Sequence, residues 1–324
     1  MSRLNISPKI GGSLPVNTKL VEPVTAMKWN IAATIAAFCI EYLPQTFLAT
    51  PWKKFVQLHK YDKEVPVPEK LQLMFTQVQD DLKVFEAYRE QLHPFMTVGF
   101  DIYHIGYTFF KFGSYIGIPI NFTYKRIGEI NTNRVSVNSE VLDINHPMAK
   151  PFLESLILSE SAQKFAFAKE ILQSQTMEGV INPSFTAGFV IMMYSACRYL
   201  NRSFKLLHQP VLARFTAHGM LGVMVASLWH LQRDLLSSYY DQVHDAQISD
   251  LGQEYVEGGL EYCDKMITRY KAAWQFLGYE DEKATDSLPM QWKLSPFNFR
   301  LSTRQRKEYF ETKFHKLVQE QEMM

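Results

Sequence analysis

Lys169, Glu170 and Gln173 stand in the order K-E-x-x-Q within "LSESAQKFAFAKEILQSQ", residues 158–175. This is the spacing of H-E-x-x-H, in which two histidines one helical turn apart hold zinc and the glutamate serves as general base. Zinc needs lone pairs from imidazole, thiolate or carboxylate. The Lys169 ammonium offers none and the Gln173 amide is a poor ligand, so catalytic zinc cannot be held here. Only Glu170 retains the chemistry of the pattern. A plainer reading stands beside this one. On a helical wheel Phe165, Phe167, Ala168, Ile171 and Leu172 fill one arc, and Gln163, Lys169, Glu170, Gln173 and Ser174 fill the other. That is an amphipathic helix with a solvated face.

No other stretch supplies a catalytic constellation. The nine histidines form no i, i+3 or i, i+4 pair, and Cys39, Cys197 and Cys263 are scattered and odd in number. Neither a disulfide framework nor a thiolate metal site follows from them. There is no G-x-S-x-G elbow and no phosphate loop, and "GSYIGIPIN" lacks the helix that a dinucleotide fingerprint requires. His218 and His230 fall in apolar stretches, where a polar side chain is a functional suspect by default. These residues predict a protein without cofactor or metal that is not an enzyme.

The elements that carry the K-E-x-x-Q segment read as an α+β membrane protein, mainly helical. The 324 residues are 47% hydrophobic and 21% charged, enough apolar material for a sizeable core. The 34 basic side chains nearly balance the 33 acidic ones without any basic stripe, which argues against a nucleic-acid partner. Residues 1–28 form a basic tail or targeting segment, interrupted by Pro8, Pro15 and Pro23. Residues 29–52, an apolar run with Trp at both ends, are a candidate N-terminal crossing, with Glu41 and Pro44 in its second half. Residues 53–182 read as a soluble α+β region. It has a helix from Pro68 to Leu92 with Leu71, Phe75, Val78, Leu82 and Phe85 on its apolar face. After it come two or three strands from Thr97 to Val141, turning or bulging at Gly106, Gly113 and Gly117. Residues 183–231 carry two apolar stretches, "PSFTAGFVIMMYSACRYL" and "PVLARFTAHGMLGVMVASLWHL", joined by a short basic loop with Arg202 and Lys205. Their small residues favour a transmembrane hairpin. Residues 232–324 are expected to be helical, with a polar helix over 235–277 and a basic surface helix at the end.

This order resembles the heat-shock class of membrane zinc peptidases, in which a small sheet precedes the zinc helix, a hairpin follows it, and a later helix brings a glutamate ligand. The resemblance implies a degenerate metallopeptidase-like architecture. In "GQEYVEGGLEYCDK" (252–265), Glu254 takes the place of the lost ligand, while Gly258 stands where an acid is usual. Lys169, Glu170, Gln173 and Glu254 are then the candidates for a vestigial cleft or interaction surface.

A second resemblance rests on longer blocks: "LQLMFTQVQDDL" (71–82), "SYIGIPINF" (114–122), "INTN" (130–133), "LSESAQKFAFAKE" (158–170), "EGGLEY" (257–262) and "LSTRQR" (301–306). In this order they are similar to the transmembrane protein 177 family, and "AQKFAFAKE" is the most specific block. The resemblance implies a multi-pass protein of the mitochondrial inner membrane that assists cytochrome c oxidase assembly. Its implied partners are newly made oxidase subunit 2, the dedicated chaperone of that subunit, and membrane lipid. It supplies no catalytic residues and no cofactor. The alternatives are a pseudopeptidase that keeps a peptide-binding cleft without metal, and an active membrane peptidase.

Overall fold

The computed structural model describes residues 23–132, 135–137, 140–278 and 301–322. The basic tail up to residue 22 and residues 279–300 lie outside the described residues.

Helix α1 (Pro23–Tyr42) does not continue to Trp52. Pro44 has no N–H, and its ring excludes the carbonyl four residues back. The chain turns over 43–48, where the Thr46 hydroxyl donates to the Tyr42 carbonyl at 2.9 Å. It restarts as α2 (Ala49–Val56). A two-residue hairpin, β1 (His59–Lys60) with β2 (Lys63–Glu64), follows. The helix expected from Pro68 to Leu92 is in fact α3 (Glu69–Asp81) and the single turn α4 (Glu86–Arg89), separated at Lys83, whose φ is +51°. Leu71, Phe75 and Val78 are buried as their spacing predicts, but Phe85 lies past the break and is 69% exposed.

Three strands form the small sheet: β3 (Leu92–Thr97), β4 (Tyr103–Gly106) and β5 (Ser114–Pro119). Their order is β3-β5-β4, with the middle strand parallel to β3 and antiparallel to β4. The sheet starts five residues before Thr97, because Pro94 disguises β3, which is an edge strand and tolerates a proline there. Gly106 closes β4 and Gly113 opens the approach to β5, both at positive φ, while Gly117 lies inside β5. A minor hairpin, β6 (Ser136–Val137) with β7 (Glu140–Val141), and α5 (Ala149–Ser155) lead to the central helix.

That helix, α6 (Glu160–Ser174), starts where Ser159 caps it, its hydroxyl accepting from the Ala162 N–H at 3.1 Å. Glu160 in the first turn complements the helix dipole. The expected solvated face is absent. Gln163, Lys164, Glu170 and Ser174 are buried together with Phe165, Ala166, Phe167, Ala168 and Ile171. Phe167 meets Phe75 edge-on at 5.6 Å, and Phe165 meets Phe310 at 5.1 Å.

The remaining helices are α7 (Glu178–Ser203), α8 (Val211–Ser249), α9 (Gln253–Phe276) and α10 (Thr303–Glu322). Helix α7 begins before Pro183, which sits in its second turn. Helix α8 runs 39 residues without the break expected near Leu231. The segment "HLQRDLLSSYY" contains neither Gly nor Pro, so nothing stops the helix there. The turn comes instead at Gly252, φ +129°. Helices α7 and α8 are the two among the described residues that are long and apolar enough to cross a membrane, and little of either apolar stretch is buried within the protein.

Helices α6 and α9 touch at Gly258. A Cβ there would lie 2.2 Å from the Ser161 carbonyl oxygen, so the position used for an acid in the peptidases here serves close backbone contact. Gly258→Ala should lower stability by about 1–3 kcal/mol through overpacking. Chemical unfolding of the detergent-solubilised protein followed by tryptophan fluorescence measures this, and an unchanged midpoint would show that the helices separate freely.

Candidate functional site: a polar cleft between the membrane helices and the domain

Four elements converge below the hairpin and enclose a polar cleft of about 410 Å³. Strand β4 contributes Tyr103 and His104, and α6 contributes Lys169, Glu170 and Gln173. Helix α7 adds Glu178 and Asn182, while α8 adds Arg233, Asp234, Ser237 and Asp241. Three of the four sequence candidates therefore line one cavity. Glu254 does not. It stands on α9, half-exposed, and accepts from the Lys164 ammonium at 2.7 Å.

The polar side chains of α6 are paired one by one. Glu170, 8% exposed, lies 3.0 Å from Nδ1 of His104. With Glu170 ionised, Nδ1 carries the proton and donates it to the carboxylate. Lys169 faces Asp241 at 4.0 Å, and the Gln173 amide donates to Glu178. Gln163 donates to the carbonyls of Phe122 and Leu158, both at 3.1 Å. Glu170 is thus held by an imidazole and has a lysine next to it in sequence. Among the described residues no three His, Cys, Asp or Glu side chains gather as a metal site would require.

Behind the cleft lies the feature that sequence reasoning missed. Arg306 of α10 is buried and forms a two-pronged bond with Asp245 of α8, Nε to Oδ2 at 2.7 Å and Nη2 to Oδ1 at 2.6 Å. Its third nitrogen reaches Asp241 at 3.8 Å. Burial opposes the guanidinium charge, but the Asp245 carboxylate outweighs it and holds the group above its ordinary pKa. Asp241 thereby joins Lys169 of α6 to Arg306 of α10. The i, i+4 pair in "DQVHD" was the available signal, obscured because this stretch reads as an ordinary polar helix.

His244 lies between these acids, 4% exposed, and its Nδ1 has no partner among the described residues. Burial depresses its pKa to about 4. Asp241 and Glu170 pull it upward, while Lys169 and Arg306 push it further down.

On the hairpin side of the cleft, Glu41 at the end of α1 binds the two apolar helices. Its Oε1 accepts from Arg233 and from Thr186, each at 2.9 Å, and Thr186 in turn accepts from the Trp229 indole at 2.9 Å. The acid that looked unwelcome in a crossing segment is a joint between three helices.

A mainly helical domain with a small sheet, standing on two apolar helices that leave most of their side chains exposed, defines an α-helical membrane protein. No family model and no solved structure matches the chain. It is 27% identical to a transmembrane protein 177 of Danio rerio over 240 residues, covering 72% of this chain and 75% of the relative. The Homo sapiens protein of that name is 27% identical over 67% of this chain and 69% of its own length, and that of Xenopus laevis 23% over 71% and 74%. Over about 70% of its length the chain is thus similar to the transmembrane protein 177 family.

Two predictions follow from the buried charges. Arg306→Met leaves Asp245 buried without its partner and should cost about 3–5 kcal/mol, seen as a lowered unfolding midpoint. Adding Asp245→Leu should recover much of the loss. For His244 the folded pKa lies below the unfolded value of 6.5, so the unfolded chain binds the extra proton between pH 6.5 and 4. Stability should therefore fall as pH drops through that window, by up to about 3 kcal/mol, and be insensitive to this group above it. Thermal unfolding of His244→Gln should lack that acid sensitivity.

Proposed function

We propose that the protein is a non-enzymatic assembly factor of the mitochondrial inner membrane, which holds newly made cytochrome c oxidase subunit 2 together with its dedicated chaperone. Similarity to the transmembrane protein 177 family carries this reading. Two features of the molecule support it. The polar residues at the K-E-x-x-Q helix are engaged in internal pairs. The apolar flanks of α7 and α8 are left open, with Phe185, Ile191, Met220, Val223, Met224 and Leu228 facing outward. In a bilayer these flanks can pack against the transmembrane segments of a client.

The anchor in this proposal is a three-helix unit. Helix α1 packs along α7, and its 20 residues rise about 30 Å, the thickness of the hydrocarbon layer. Met27, Trp29, Ile31, Ile35 and Ile40 are exposed along it. Glu41, Arg233 and Thr186 mark the polar level on the side of the domain. Arg202 in the last turn of α7 and Lys205 just after it, at the other end, favour the matrix by the excess of basic residues on that side of membrane proteins. The folded domain then stands in the intermembrane space.

A second reading is favoured by one observation: Asp241 of α8, rather than Glu254, faces Lys169 across the cleft, with Asp245 four residues on. This fits a degenerate metallopeptidase-like arrangement in which a third acidic position survives next to a helix that has lost its histidines. The cleft would then hold an extended client segment beside β4, an edge strand able to pair with it.

Mild-detergent affinity purification from mitochondria pulse-labelled for their own translation products should recover labelled oxidase subunit 2. Recovery of none would contradict the assembly role. Alkaline extraction should leave the protein in the membrane pellet, and release into the supernatant would contradict the hairpin. A photocrosslinker at Tyr103 should capture the client only if the cleft holds it.

A further inference from the structure

We propose that the turn of the α7–α8 hairpin is a binding site for the phosphate headgroup of an anionic phospholipid. The inference rests on the membrane reading given above, since the site must lie at a bilayer surface. From residue 179 to residue 233 the chain contains no Asp or Glu. The basic residues within that stretch, apart from Arg233 at the domain end, are Arg198, Arg202, Lys205 and Arg214. All four fall around the turn. Arg198 lies five residues before the end of α7, and Arg214 lies three residues into α8. At 1.5 Å per residue, each is within about 8 Å of its helix end.

Between the helices the chain passes Lys205 in a left-handed conformation, φ +46°, and a single tight turn over Leu206–His208 that tucks Leu206 inward. Arg202 and Lys205 are exposed, while Arg198 lies over the Tyr194 ring at 5.6 Å. Arg214, like Arg198, is only partly exposed. Its Nε is shielded and has no hydrogen-bond partner among the described residues, and neither does Oδ1 of Asn201 across the turn. No acceptor among the described residues takes a hydrogen bond from the Arg214 side chain, and its two outer nitrogens, which are not shielded, are left for a phosphate oxygen.

The same turn exposes Tyr199, Phe204, Leu207, Val211, Leu212 and Phe215. Aromatic and aliphatic groups alternate there with cations, which is the composition of a segment lying at the headgroup level of an anionic leaflet. A soluble anion would have no use for that apolar rim, so the ligand is a lipid.

The full-length chain, reconstituted in nanodiscs of phosphatidylcholine with a minority of phosphatidylglycerol and then released into mild detergent, can be examined by native mass spectrometry for retained lipid. Phosphatidylglycerol should be retained in preference to phosphatidylcholine. Neutralising Arg198, Arg202, Lys205 and Arg214 to Gln should reduce the preference by roughly fivefold for each charge, the equivalent of ~1 kcal/mol apiece. Replacing the three arginines by lysine, which keeps the charge, should preserve most of it and serves as the control for folding. Lys307→Gln with Lys313→Gln on α10, in the domain, should leave it unchanged. The proposal is overturned if the neutralised protein keeps the preference, if the lysine set loses it as fully as the glutamine set, or if millimolar inorganic phosphate displaces the lipid completely.

Discussion

Helix α6 is enclosed on every side, and that constraint organises the rest of the molecule. A buried ionised or amide side chain is tolerated only with a partner. The helix carries Gln163, Lys164, Lys169, Glu170 and Gln173, so each neighbouring element must supply one. Strand β4 brings His104, α9 brings Glu254, α7 brings Glu178, and α8 brings Asp241. Apolar contact through Phe165 and Phe167 supplies most of the cohesion, while the polar pairs fix which neighbour sits where.

The same constraint links the membrane part to the domain. Helix α8 leaves the apolar region near Arg233 and runs unbroken to Ser249, carrying Asp241 and Asp245 into the core. Arg306 then clamps α10 to it. A shift of α8 along its axis would separate Asp241 from Lys169 and Asp245 from Arg306 together. The hairpin is therefore mechanically continuous with the domain rather than tethered to it by a linker.

Much of this was legible in the sequence, and the failures have physical causes. The hairpin, the small sheet and the helix at "AQKFAFAKE" follow from apolar runs, β-branched and aromatic residues, and helical spacing. The solvated face of α6 was misjudged because a wheel shows polarity but not enclosure. Lys169, Glu170 and Gln173 look like a wet face until strand β4 and helices α7 and α8 are placed around them. The apolar run over 29–52 is divided around Pro44 into α1 and α2, and the division of α8 near Leu231 followed a change in composition that carries no helix-stopping residue. Glu254 was chosen by the order of elements along the chain. Asp241 occupies the facing position because α8 continues past the apolar stretch, a tertiary fact that no local pattern encodes.

The central claim is that the polar face of α6 serves structure and not chemistry. Glu170→Gln tests it most directly, since the variant keeps the shape and removes the charge shared with His104. Its unfolding midpoint and the client recovered per folded molecule should be measured together. The account predicts a lower midpoint, by about 1–3 kcal/mol for a buried charged hydrogen bond, with client recovery unchanged. An unchanged midpoint accompanied by lost processing or release of the client would contradict it.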